Sequence, residues 1–226
     1  MGGTGLLDAL GSIRLLTTTD YGRAGAVSII VLILVLALRV FCTRQHAREF
    51  GVIGGLAVFV LVRASMGHAG ENGWWSVAMA VEAVHLASIG IWAGLVFVSG
   101  WLVVGSTTLH LTPAMSGNYL GRMSQAATGA VAVILLTGSY NAWQRIGTLG
   151  NLTQGSYANA FLVKIGLVAV ALLLGGYNKF IGLQQANDSY KGVQGVRRLL
   201  QYESIVLLGV LTAAATMISQ QPPTAM

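Results

Sequence analysis

Two histidines and a carboxylate stand in the otherwise apolar segment 66–94, and they are the residues of this chain best suited to chemistry. His68 lies in a short glycine-rich connection, whereas Glu82 and His85 lie three residues apart in the hydrophobic run that follows. On a helix, that spacing puts both side chains on one face. An ionisable side chain inside a membrane helix costs about 2.5–3.5 kcal/mol on insertion scales unless a partner, an ion or the interior of a bundle receives it. The three residues therefore predict a functional site.

The composition indicates that this segment lies in a membrane. Of 226 residues, 54% are hydrophobic and only 9% are charged, and the mean hydropathy is +0.70. These values are far too apolar for a soluble domain, so the sequence predicts an integral membrane protein. The formal net charge is +6, but the basic residues stand at the ends of hydrophobic runs, which argues against nucleic-acid binding. The single cysteine, Cys42, excludes an intramolecular disulfide and is expected to be a packed thiol.

The hydrophobic runs predict an all-α fold, a polytopic membrane bundle of about six transmembrane helices, since a spanning helix needs about 20 mainly apolar residues. Residues 1–20 carry apolar side chains at helical spacing and predict an N-terminal interfacial helix, with a disordered leader as the alternative. Residues 21–226 are predicted to form one membrane domain. The second window is short and ends in Arg63, which makes it the least certain span. The windows are 24–43, 50–66, 76–104, 119–144, 158–182 and 199–219.

Basic residues near the ends of these windows orient the bundle, because they collect on the cytoplasmic side of a membrane. The connection 67–75, the loop 145–157 and the C-terminal tail then face outward, which in a bacterium is the periplasm. Glu203 opens the last window on the inner side, where it is expected to form an ion pair with Arg197 or Arg198. The basic residues that set this orientation are Arg39, Arg44, Arg48, Arg122, Lys179, Lys191, Arg197 and Arg198.

Further polar residues are predicted at the depth of Glu82 and His85. A rise of about 1.5 Å per residue puts these two side chains roughly 10 and 15 Å below the outer interface. Arg63, Asn141 and Lys164 reach the same outer half and are interpreted as a supporting polar layer. Each has a simpler explanation: Arg63 and Lys164 as side chains that snorkel to the interface, and Asn141 as a bridge between helices.

Short motifs distributed along the chain indicate a family. Their order and spacing over about 200 residues resemble the copper resistance D (CopD) family of bacterial inner-membrane proteins. The motifs are TTDYGR at 18–23, GHA at 67–69, HLASIGIWAG at 85–94, TGSYNAW at 137–143, YANAFLVKIGL at 157–167, GGYNK at 175–179, Glu203 and PP at 222–223.

The resemblance implies a multi-pass protein of the bacterial inner membrane that takes part in copper uptake, transfer or resistance. It places the family's histidine positions at His68 and His85. A copper ion then has a reasonable periplasm-facing ligand set in His68, His85, Glu82 and Met79. Imidazole binds both copper oxidation states, a thioether favours Cu(I), and a carboxylate binds the metal or orients a histidine.

The family's intramembrane lysine corresponds to Lys164, but the chain departs from the family pattern at its start. Family members usually carry further spans before the TTDYGR-like segment, whereas about 17 residues precede it here. We therefore expect a short variant or one component of an assembly. A periplasmic copper carrier and other membrane subunits are the candidate partners.

Two other functions agree with parts of the pattern. A b-type cytochrome would use His68 and His85 toward the outside and His46 and His110 toward the inside, since bis-histidine haems need such pairs. His46 and His110 lie in or beside polar connections, however. A non-catalytic accessory subunit would use the polar layer only to hold helices together. An enzyme is not predicted, because the sequence has no Ser/His/Asp arrangement, CxxC, P-loop or dinucleotide fingerprint.

Overall fold

The computed structural model describes residues 18–71, 73, 75–104, 113–146 and 155–218, and every regular element found there is helical. This confirms the predicted all-α membrane bundle. The predicted interfacial segment 1–20 lies almost wholly outside the described residues. The helices are α1 (Asp20–Phe41), α2 (Gln45–Ser65), α3 (His68–Glu71), α4 (Val77–Phe97), α5 (Pro113–Ile146), α6 (Gly155–Tyr177), α7 (Leu183–Asp188) and α8 (Tyr190–Ile218). Two π-helical turns, π1 (Val98–Val103) and π2 (Asn178–Gly182), continue α4 and α6.

Five stretches of the described helices are long and apolar enough to cross a membrane. The helix α2 covers the second predicted window but is not among them, and the charged residues Arg48, Glu49 and Arg63 make it the more polar helix. Length and composition thus support five spans where the sequence predicts about six. The five are Gly22–Phe41, Val77–Val103, Met115–Gln144, Asn159–Asp188 and Tyr190–Thr216.

The chain divides into two compact units, Met1–Ala87 and Ser88–Met226, with the boundary inside α4. In the first unit, α1 and α2 form an antiparallel hairpin in which Gly51 approaches the Leu38 side chain and Gly55 approaches that of Val35. The hairpin begins at a capped end, where the Thr19 hydroxyl accepts a hydrogen bond from the Gly22 amide at 3.1 Å. Such a cap satisfies a backbone donor that the first helical turn leaves unpaired.

In the second unit, α8 packs along α6 and against α7 and π1, while α5 packs against α7. The side chains between these helices form one apolar core, and the opposite faces keep exposed leucines, isoleucines and valines. That distribution is expected of helices that border on lipid. The most deeply buried core side chains are Val96, Leu120, Ala171, Ala186, Val193 and Val196.

The turn π1 is fixed to its neighbours by polar contacts. The Trp101 indole donates to the Ser204 hydroxyl at 2.9 Å, and the Ser99 and Tyr119 hydroxyls are also 2.9 Å apart. A π turn interrupts the regular helical hydrogen bonds. The Gly100 carbonyl accepts hydrogen bonds from the side chains of Arg197 at 3.3 Å and Gln201 at 3.2 Å.

Candidate metal centre

Three of the predicted copper ligands lie on α4, within the part of that helix that belongs to the first unit. His85 is buried with 8% of its surface exposed, Met79 is buried with 2%, and Glu82 is half-buried. Each is three residues from the next in an unbroken helix, so Glu82 shares a face with His85 on one side and with Met79 on the other. The helix begins beside Ser76, whose hydroxyl accepts a hydrogen bond from the Met79 amide at 3.1 Å.

His68, the fourth predicted ligand, begins the short helix α3, and its side chain lies outside the described part of the structure. The backbone around it follows a series of tight turns, in which Gly70 donates to the Gly67 carbonyl and Gly73 to that of Gly70. Gly73 has a φ of +89°, which glycine adopts without strain. A side chain on Gly70 would collide with the carbonyl oxygen of Ser65. These glycines therefore allow α3 to turn back against the end of α2.

Arg63 and Met66 interact with each other at this end of α2. The guanidinium of Arg63 donates from Nη1 to the Met66 sulfur at 3.3 Å. Since this bond occupies one of the two lone pairs of the thioether and its donor is a cation, which repels a metal ion, Met66 is a poorer candidate ligand than Met79. The positive charge of Arg63 is half-buried beside the connection that carries His68.

The remaining members of the predicted polar layer lie in the second unit. Asn141 is half-buried on α5, and Lys164 is half-buried on α6. Among the described residues, no three His, Cys, Asp or Glu side chains form a group that could hold a metal ion. The His68 side chain is not part of that set. The complete ligand set therefore remains a prediction.

The second unit contains a polar site that sequence reasoning missed. The Trp92 indole donates to Glu203 Oε1 at 3.1 Å, and both side chains are buried, with 5% and 2% of their surfaces exposed. They line a cavity of about 250 Å³, whose wall also includes Thr128, Asn178 and Lys179. The signal in the sequence was a lone glutamate followed by the apolar run SIVLLGVL.

The expected ion pair of Glu203 with Arg197 or Arg198 is wrong. The helix α8 begins at Tyr190, so Glu203 lies in the middle of the span rather than at its start. Residues five or six positions apart on a helix do not face each other. Arg197 bonds to the Gly100 carbonyl instead, and Glu203 accepts its bond from Trp92.

Comparison with known proteins finds similarity to proteins named for copper. Residues 117–217 match the family model described as copper resistance protein D, CopD. The chain is also 28% identical over 164 residues to the copper transport protein CutJ of Bacillus subtilis (strain 168), which covers 73% of this chain but only 29% of that relative. No solved structure gives a significant match. The predicted resemblance to the copper resistance protein D (CopD) family is therefore confirmed over residues 117–217, which match the family model.

Proposed function

We propose that this chain is a copper-handling protein of the bacterial inner membrane, which binds copper near the periplasmic end of α4 and passes it on. His68 and His85 are the principal ligands, Glu82 binds the ion or orients a histidine, and Met79 supplies a thioether. The observation that supports the site best is the buried His85, one turn from Glu82 inside an apolar helix. Intramembrane groups of this kind mark ion pathways in membrane proteins.

The chemistry of the donor set suits copper as a transported ion. Neutral imidazole is the commonest metal ligand in proteins, and a thioether selects Cu(I) over harder ions. The backbone of α3 lies at the end of α2. The glycines beside His68 give this connection the conformational freedom to bring the His68 imidazole toward α4. If His68 and His85 do not bind one ion together, the ion binds first to His68 and then to His85 as it enters.

The ligand set is tested by X-ray absorption on detergent-purified protein loaded with Cu(I). We expect nitrogen or oxygen ligands together with one sulfur, and the sulfur contribution should disappear in Met79→Leu. Met66→Leu is the matched control, because the Met66 sulfur already accepts a hydrogen bond from Arg63. A wild-type protein that binds no copper would contradict the proposed function, whereas sulfur lost in Met66→Leu would move the site toward α2.

A non-catalytic accessory subunit is the second candidate function, and one observation favours it. The aligned part covers only 29% of CutJ, so most of the relative that is named for copper transport has no counterpart in the aligned part. Purification of this chain with a fixed set of membrane partners, and without metal, would support this alternative. The cytochrome alternative has less support, because His46 is exposed. The other histidine on that side, His110, lies outside the described residues.

A further inference from the structure

The cavity of the second unit connects a buried hydrogen bond with an exposed one. At the buried end of the cavity, Trp92 donates to the carboxylate of Glu203 at 3.1 Å. At its exposed edge, the Lys179 ammonium donates to the Thr128 hydroxyl at 2.9 Å. All four residues belong to the lining of the same cavity of about 250 Å³. The cavity thus reaches from a carboxylate in the centre of a membrane span to the protein surface.

The position of Glu203 is unfavourable for a carboxylate that has only a structural role. It is 2% exposed, at the centre of the span Tyr190–Thr216, and the wall beside it is Gly175, where a Cβ would lie 3.2 Å from Oε1. Carboxylates inside membrane spans are rare and serve as ion sites or as members of proton relays. Among the described residues that line the cavity, Lys179 is the other titratable group, and Arg197 and Arg198 are not in the lining.

The cavity wall is mostly apolar, but the cavity is large enough for water and carries several polar groups that can bond to it. A water molecule occupies about 30 Å³ of liquid and needs two to four polar partners, so a volume of about 250 Å³ admits several molecules. Ser124 and Thr128 offer hydroxyls from α5, and Lys179 and Glu203 offer charged groups from π2 and α8. The helix changes to π-helical geometry from Asn178 onward, at the cavity wall, and such turns occur frequently at functional sites.

We propose that Glu203 is a proton-binding site, which exchanges its proton through water in this cavity with the side of the protein where Lys179 lies. In the exchange, a hydronium ion in the cavity transfers its proton to the carboxylate oxygen Oε2. An O–H bond forms on the carboxyl group, and the hydronium becomes a neutral water molecule. The indole of Trp92 keeps Oε1 in place in both states. This activity is independent of the copper site proposed on α4.

The proposal is tested by infrared spectroscopy of the purified full chain at a series of pH values. Protonation produces the C=O stretching band of a neutral carboxylic acid, and the difference between wild type and Glu203→Gln isolates the band of this residue. We expect a pH-dependent band in that difference. Trp92→Phe should shift the band to higher frequency, since a hydrogen bond to the carbonyl oxygen lowers it. A difference spectrum without such a band at any pH, or a band that Trp92→Phe leaves unmoved, would overturn the assignment.

The water path is tested by the rate at which the carboxyl proton exchanges with deuterium. Gly176 lines the cavity and a Cβ there meets no atom within 4 Å, so there is room for a side chain to begin, and Gly176→Val adds two methyl groups at the cavity wall. Gly166 lies on the same helix, is equally unobstructed and is not in the lining, which makes Gly166→Val the matched control. We expect exchange to become several-fold slower in Gly176→Val and to stay unchanged in Gly166→Val. Equal rates in both variants would rule out the cavity as the path.

Discussion

Single buried polar groups are the most informative residues of the second unit. Asn178 is 6% exposed, and among the described residues neither its amide nitrogen nor its amide oxygen has a hydrogen-bond partner. Leaving a buried polar group unpaired costs about 1–3 kcal/mol. By contrast, Glu203 has the Trp92 indole as a partner. Asn178 lines the cavity, so the water proposed there would supply the partners that the described residues do not, whereas Glu203 is held by Trp92.

The substitution Asn178→Leu should lower the thermal stability of the purified protein, because leucine cannot bond to the water proposed in the cavity. The expected loss is about 0.5–1.5 kcal/mol, the net contribution of an ordinary hydrogen bond. The melting temperature in detergent checks this expectation, with wild type measured in parallel. An unchanged or raised melting temperature would show that no water bonds to this amide.

For single residues, the sequence was informative about which residues matter and less informative about the side chains they contact. The spacing of Glu82 and His85 alone predicts that they share a face of a helix, and both lie in the regular helix α4. The partner of Glu203 is Trp92, which is 111 residues away along the chain. A contact of that kind depends on how helices pack, and no local pattern specifies it. The expected partner Arg197 was close in sequence but lies on another face of the helix.

The helices were largely predictable because hydrophobic runs of the required length are visible directly. Their ends were not, since a helix continues beyond the hydrocarbon layer into polar residues. The predicted window 199–219 belongs to a helix that begins at Tyr190. The helix α2 differs from its prediction in another way. It is helical throughout, but its residues are too polar for a membrane span. The π turns have no signal in hydropathy at all.

Close packing between elements makes a sharp prediction at Gly100 in π1. A Cβ at this position would lie 3.1 Å from Leu200 Cβ and 3.2 Å from the Gln201 amide nitrogen, and neither atom can move unless the main chain of α8 moves with it. Overpacking of this kind costs about 1–3 kcal/mol, so Gly100→Ala should lower the melting temperature.

Gly90 on α4 provides the matched control for this substitution. It is helical, and a Cβ there meets no atom within 4 Å. Alanine is favoured over glycine inside a helix by roughly 0.5–1 kcal/mol, so Gly90→Ala should preserve or slightly raise the melting temperature. Equal effects of the two variants would contradict the tight contact between π1 and α8.

At the scale of the whole molecule, the orientation in the membrane decides from which side the proposed copper site is reached. The bias of basic residues predicts that the 67–75 connection faces the periplasm. We expect Glu71→Cys, in a Cys42→Ser background that removes the only natural cysteine, to react with an impermeant thiol reagent added outside the inner membrane. Reaction only after the reagent reaches the cytoplasm would reverse the topology and remove the basis for a periplasmic site.

The copper retained by His85→Ala tests the central claim most directly. Wild type and variants are purified in detergent, loaded with copper, desalted and measured by elemental analysis. His46→Ala is the control, because His46 is an exposed histidine near the start of α2. We predict that His46→Ala retains as much copper as wild type, that His68→Ala loads more slowly, and that His85→Ala retains almost none. Copper retained by His85→Ala at the wild-type level would contradict a metal site on α4.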